Sequence, residues 1–151
     1  MFEHLLVAVD GSKHSRRAIE AASVLALKLG SRLTILHVIA HAGDNRIPDD
    51  LKEFARVEHI QTDEAVILET VGNAIVDRAK QEALSKGVEA VETALLRGDA
   101  ATEIIQFAAV NDVDTIVMGR RGLGDFAGLL LGSVSHKVAQ RSDLDCLTVG
   151  T

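Results

Sequence analysis

The stretch from Met118 to Ser135 holds most of the residues in this chain that invite chemistry. It carries Gly119, Gly122, Gly124, Gly128 and Gly132, the adjacent cations Arg120 and Arg121, and the hydroxyls of Ser133 and Ser135. Gly119 ends the apolar run Thr115-Ile116-Val117-Met118, where a missing side chain lets a ligand approach the backbone. Gly122 and Gly124 permit positive φ and expose amides. Gly132-Ser133 precedes a helical pattern marked by Val134 and Val138. At such a helix start free N–H groups point outward, and Ser133 or Ser135 adds a hydroxyl donor. Together these features describe an anion cradle suited to phosphate. The plain alternative is a flexible glycine loop, and the position between a buried strand and a helix start favours the cradle.

Other phosphate motifs do not fit. A Walker A loop needs Gly-Lys followed by Ser or Thr, and the chain has no Gly-Lys pair. The dinucleotide fingerprint fails because Ala127 stands where Gly122-Leu123-Gly124 would require its third glycine. No Gly-x-Ser-x-Gly elbow occurs, and no carboxylate is placed by sequence to orient a water at a γ-phosphate. His14, His41, His59 and His136 have no metal-ligand spacing, and His37 reads as a satisfied strand histidine. Asp125 is a candidate to help hold Mg²⁺ beside phosphates.

The elements that would position these residues alternate strand and helix. Leu5 to Val9 is a continuous apolar run, expected of a strand buried on both faces. Asp10-Gly11-Ser12 starts a helix whose stripe is Ala18, Ala22, Leu25 and Leu29, widened by Ile19 and Ala26, and Gly30 ends it. Leu33 to Ile39 is a second strand. The segment from His41 to Asp50, with Gly43 and Pro48, is a loop. A helical pattern runs from about Leu51 to Lys86, clearest at Leu68, Val71, Ile75 and Ala79, and Gly87 closes it. Val88 to Leu96 alternates as an exposed edge strand does. Arg97-Gly98-Asp99 turns into a short helix with Ala101, Ile104, Ile105 and Ala108. A strand at 115–118, the glycine segment, a helix and a last strand at 144–149 complete the series. The alternation predicts a single α/β domain over residues 1–151. Its five-stranded parallel sheet is doubly wound, with helices on both faces. In such sheets ligands sit at the carboxyl ends of strands where strand order reverses.

Composition narrows the partners. The chain has 151 residues and a formal charge of −6, which repels nucleic acid unless a basic patch is concentrated. Aromatics make up only 3%, so bases and sugars find little to stack on. The single cysteine, Cys146, excludes an internal disulfide and reads as a small apolar residue. Met1-Phe2-Glu3-His4 has no basic leader region, and no stretch has the length of a membrane span. A reducing, cytoplasmic setting is the expectation.

The spacing Gly119-x2-Gly122-x9-Gly132-Ser133 resembles the ATP-binding signature of universal stress proteins. Val7-Ala8-Val9-Asp10-Gly11-Ser12, Leu36-His37-Val38 and Arg97-Gly98-Asp99-Ala100 are similar to further segments of that family, and the resemblance covers essentially the whole chain. It implies a Rossmann-like fold of the adenine nucleotide alpha hydrolase type that binds ATP with Mg²⁺. The implied contact set is Ala8, Val9, Asp10, Val38, Met118, Gly119, Arg120, Gly122, Gly132, Ser133, Val134 and Ser135. Asp10 and Val38 would hold the adenine region. Gly119 and Gly122 would approach ribose and α-phosphate, and residues 132–135 the β- and γ-phosphates. Asp10 is an acceptor-only side chain suited to a base amine or ribose hydroxyl, with helix capping as its competing role. The resemblance implies a regulatory ATP-binding protein with no catalytic residues assigned. Binding would order the glycine loop and present Phe126, Leu129, Leu130 and Leu131 to a partner such as a transporter or signalling protein. It also implies a homodimer or higher homo-oligomer near the last strand, where Asp145 replaces the family's usual proline. The enzymatic alternative is a slow ATP hydrolase or an autophosphorylating protein of the same fold.

Overall fold

A computed structural model describes residues 1–40, 64–123 and 131–150. Its elements are β1 (His4–Ala8), α1 (Lys13–Leu29), β2 (Arg32–Ile39), α2 (Glu64–Ser85), β3 (Val91–Arg97), α3 (Ala100–Val110), β4 (Thr115–Gly119), α4 (Ser133–Arg141) and β5 (Asp145–Val149). The strands form one parallel sheet in the order β3-β2-β1-β4-β5. The chain therefore winds outward from β1 in both directions, and strand order reverses between β1 and β4.

Both faces of β1 are covered, which is why it reads as an unbroken apolar run. Leu5 and Val7 point to one face with Leu33, Ile35 and Val117, under Ala18, Ile19 and Ala22 of α1 and Val76 and Ala79 of α2. Leu6 points to the other with Leu36, Ile116 and Met118, under Ala101, Ile104 and Ala108 of α3 and Val138 of α4. The turn into α1 is set by Ser12, whose hydroxyl accepts from the Ser15 amide at 3.1 Å. Gly30 ends α1 in the left-handed conformation at φ 72°.

Three sequence expectations shift. Leu29 is 55% exposed, so the α1 stripe ends at Ala26. On α2 the buried residues are Gly72, Val76, Ala79 and Ala83; of the expected stripe Ala79 is buried, while Leu68, Val71 and Ile75 are half-buried. A Cβ at Gly72 would lie 2.8 Å from Leu95 Cδ1 and 3.1 Å from His37 Cδ2, so a larger residue there would need these side-chain ends to shift. The third strand begins at Val91, not Val88. Val88 is 4% exposed because its amide returns to the Ala83 carbonyl at 3.2 Å, closing the α2 terminus after left-handed Gly87. The His41–Asp50 loop and residues 51–63 of the expected helix lie outside the described residues.

Two aspartates hold chain junctions. Asp99 caps α3, accepting from the Thr102 amide at 3.0 Å and its hydroxyl at 2.8 Å. These bonds hold its carboxyl below the usual range. Asp114 accepts from the amides of Glu3 at 2.7 Å and His4 at 3.1 Å, and from Thr115 Oγ1 at 2.8 Å. Burial pushes the Asp114 carboxyl up, but these hydrogen bonds outweigh it and the net shift is downward. A lowered folded value adds stability that is complete above the unfolded pKa of roughly 4 and lost as pH falls through the folded value. Asp99→Ala is thus expected to cost about 1 kcal/mol at neutral pH. The deficit should shrink at a pH acid enough to protonate the wild-type carboxyl too, below its lowered folded value. Urea melts at the two pH values check this, and an equal deficit at both would refute it.

Candidate functional site

The carboxyl ends of β1, β2 and β4 open into a cleft that faces solvent, with about 660 Å³ of open space in and above it. Of the expected residues, Ala8, Val9, Asp10, Val38, Met118, Gly119, Gly122, Ser133, Val134 and Ser135 line it. Arg120 and Gly132 do not. The Arg120 side chain is turned toward the end of β5, its guanidinium carbon 3.2 Å from where a Cβ on Gly150 would lie.

Val38 shows how the sheet shapes the cleft. Leu36 accepts from the Val9 amide at 2.9 Å, so its backbone groups face β1. Two residues on, Val38 points its N–H and C=O the same way. There β1 has already ended, since its last strand residue is Ala8. Among the described residues no loop backbone bonds this edge, so a donor–acceptor pair faces the cleft. Between these two residues, His37 Nδ1 donates to the Val9 carbonyl at 2.7 Å. It is the satisfied histidine the sequence suggested, and it also pins the end of β1.

Asp10 does not cap α1, because Ser12 does. One carboxylate oxygen accepts from the Ser12 amide at 2.8 Å and the other from the Leu123 amide at 2.9 Å. The side chain therefore ties the β1 turn to the start of the glycine segment. The base of that segment is closed as well. The Gly132 amide donates to the Arg120 carbonyl at 2.7 Å, and the Arg120 amide to Val149 at 2.7 Å. Ser135 Oγ directs its hydrogen at the same Arg120 carbonyl at 2.9 Å and at the Gly132 carbonyl at 3.1 Å. Ser135 lines the cleft, yet its hydroxyl hydrogen is committed to the loop base.

Gly119 has a different reason to be glycine from the one its sequence position suggests. A Cβ there would lie 2.7 Å from the His14 carbonyl carbon and 2.7 Å from His14 Cβ. The first turn of α1 crosses the end of β4 too closely for any side chain. Gly122 is not among the described glycines with positive φ, which are Gly11, Gly30, Gly87 and Gly98. At the start of α4, Gly132 sits at the N-cap with extended backbone and no side-chain cap. The first-turn amides of Val134 and Ser135 have no acceptor within the helix. Val134 lies at this mouth, 36% exposed, while Val138 is fully buried, so only the latter faces the core as expected.

His37 also lines the cleft, and Ser15, Leu36, Ala100, Ile104, Arg121 and Leu123 complete the described lining beyond the expected contact set. Ala100 and Ile104 carry no polar signal. They matter because α3 begins where β3 ends and leans over the cleft as an aliphatic wall. Among the described residues no group of three or more His, Cys, Asp or Glu is arranged to hold a metal. Asp125, Phe126, Leu129 and Leu130 lie outside the described residues. No described helix is long and apolar enough to cross a membrane. Cys146 is partly buried on β5, and burial pushes its thiol up, against a hydrogen bond from Ser142 and with Asp145 adding to the rise.

Strand order and the position of the cleft define a doubly wound α/β domain with its cleft at the switch point, beside a helix start that has no side-chain cap. The universal stress protein family model matches residues 1–150, and the chain belongs to that family. It is 37% identical to universal stress protein YxiE of Bacillus subtilis, with 99% of each chain covered. A universal stress protein of Thermus aquaticus is 36% identical, again over 99% of each. Among solved structures, one of a universal stress protein in complex with cAMP has TM-score 0.67 and 26% identity, covering 99% of this chain and 97% of that one. The Archaeoglobus fulgidus protein in complex with dAMP has the same fold, with TM-score 0.68 and 21% identity over 99% of both chains.

Proposed function

We propose that the cleft binds an adenine nucleotide, ATP with Mg²⁺, as a regulatory ligand. The observation that carries this reading is the Val38 edge facing the same cleft as the uncapped start of α4. The edge offers one donor and one acceptor, the pair an adenine edge requires. The helix start offers amides to phosphate oxygens. The Asp10 carboxylate lies between them, within the reach of a ribose hydroxyl. The residues present therefore fit the ligand. Asp10 and Val38 would hold the nucleoside, and Gly122, Ser133, Val134 and Ser135 the phosphates, the last through its amide. Mg²⁺ would neutralise phosphate charge.

The pinned base of the glycine segment supports regulation over turnover. Its ends are fixed before ligand arrives, so less ordering cost opposes binding. Nucleotide would act by changing how the segment between those ends is presented to a partner protein. Relatives with cAMP and dAMP bound support the adenine preference. The open edge of β5, which pairs only with β4, is where a second copy would meet the first in a homodimer.

The test is a melt with and without Mg-ATP, alongside mass spectrometry of the supernatant from denatured protein. At about 100 times Kd the ligand adds about 2.7 kcal/mol of stability, a Tm rise of roughly 5–10 °C. Gly122→Val should abolish most of that rise while leaving the ligand-free melt nearly unchanged. No shift with Mg-ATP and no adenine nucleotide in the supernatant would overturn the reading. Steady phosphate release well above a no-protein control would instead favour the hydrolase.

A further inference from the structure

A second groove runs between α1 and α2, adjoining the cleft at Val9 and Ser15, with about 980 Å³ of open space in and above it. Its floor is aliphatic, built from Val9, Ile19, Val71, Ile75 and Ala79. Val71 and Ile75 are half-buried here, Ile75 still packed against the core beneath it. The polar groups reaching it are Ser15, Arg16, Arg78 and Glu82. Lys13, Arg17 and Glu20 extend the rim beyond Arg16 and Arg78. Arg17 is engaged by Glu20 at 2.9 Å. Arg16 and Arg78 have no ion pair among the described residues, although the chain as a whole is acidic.

We infer that this groove binds a small amphipathic monocarboxylate. Among the described residues the groove itself sets two guanidinium groups against the single carboxylate of Glu82, and Lys13 on the rim adds to that positive excess, so the groove favours an anionic head. A guanidinium fork matches a carboxylate in plane and can bind it through two parallel N–H bonds. The floor has no ring on which a base would stack, and its aliphatic surface is suited to a methylene chain. The ligand would lay its chain over Ile19, Val71 and Ile75 and set its head between Arg16 and Arg78.

The probe is decanoate labelled with ¹³C at the carboxyl, titrated below its micelle concentration and followed by NMR. Saturable binding of one decanoate per chain is expected. Arg16→Gln and Arg78→Gln should each weaken it about tenfold by removing a charge-assisted bond. Ala74→Phe plugs the groove and should abolish binding with both arginines intact. Ala74, Arg16 and Arg78 are all exposed, so folding should survive, as circular dichroism will show. Decylamine, with the same chain and the opposite charge, should bind at least about tenfold more weakly. Absence of saturable decanoate binding would overturn the assignment. So would equal affinity in all three variants, or equal affinity for decylamine.

Discussion

Gly119→Val is expected to destabilise the fold by about 3 kcal/mol, at the upper end for overpacking. The new Cβ would stand 2.7 Å from backbone and side-chain carbons of His14. A flexible side chain could move aside, but the first turn of α1 cannot without disturbing the Ser12 cap and the packing of Ala18 and Ile19. Gly30→Ala is the contrast. Gly30 has φ 72° and nothing within 4 Å of the added carbon, so its cost is conformational, about 1 kcal/mol. Equilibrium urea melts of the two variants separate a steric glycine from a torsional one. Equal losses would refute the close approach of α1 to β4. A further result is that Gly119 is a poor site for probing ligand contact, since any binding defect there is confounded by folding.

Asp10→Ala is expected to weaken Mg-ATP binding by about ten- to a hundredfold, as removal of charge-assisted hydrogen bonds does. The ligand-free stability should fall by only about 1 kcal/mol. The carboxylate holds two backbone donors at once, Ser12 at 2.8 Å and Leu123 at 2.9 Å. Without it the β1 turn and the glycine segment lose their direct link on the cleft side. Leu123 is 71% exposed, so its freed amide is satisfied by water. Asp10→Asn discriminates further. An amide has one oxygen and one NH₂, so it can serve only one of the two donors, and its affinity should fall between wild type and Asp10→Ala. Calorimetric titration measures all three. Unchanged affinity in Asp10→Ala would remove Asp10 from the binding site.

Strand and helix order was legible because the two periodicities differ and glycines mark the helix ends, as at Gly30 and Gly87. The residues that meet at the cleft were legible from strand ends at a switch point. Other features depend on contacts between distant segments. Nothing local tells Val88 that its partner is the Ala83 carbonyl and not a neighbouring strand. Nothing near Gly72 in sequence announces Leu95 and His37. The Asp10 tether joins residues 113 positions apart. The lining by Ala100 and Ile104 has no signature, because an aliphatic wall in a cleft and one in a core use the same residues. Arg120, chosen beside the glycines, is turned aside by the geometry of the β5 end.

The reversal of strand order has a consequence for assembly. β1 pairs with β2 almost at once, but its other neighbour arrives much later, with Leu5 opposite Thr115. Until then the open side of β1 is an apolar template for wrong pairing, as late-closing parallel sheets tend to be. The cleft lies on that same seam, one wall from the early half of the chain and one from the late half. It does not exist in any partly folded chain that lacks β4, so a ligand bound there recognises only molecules in which β4 has joined β1.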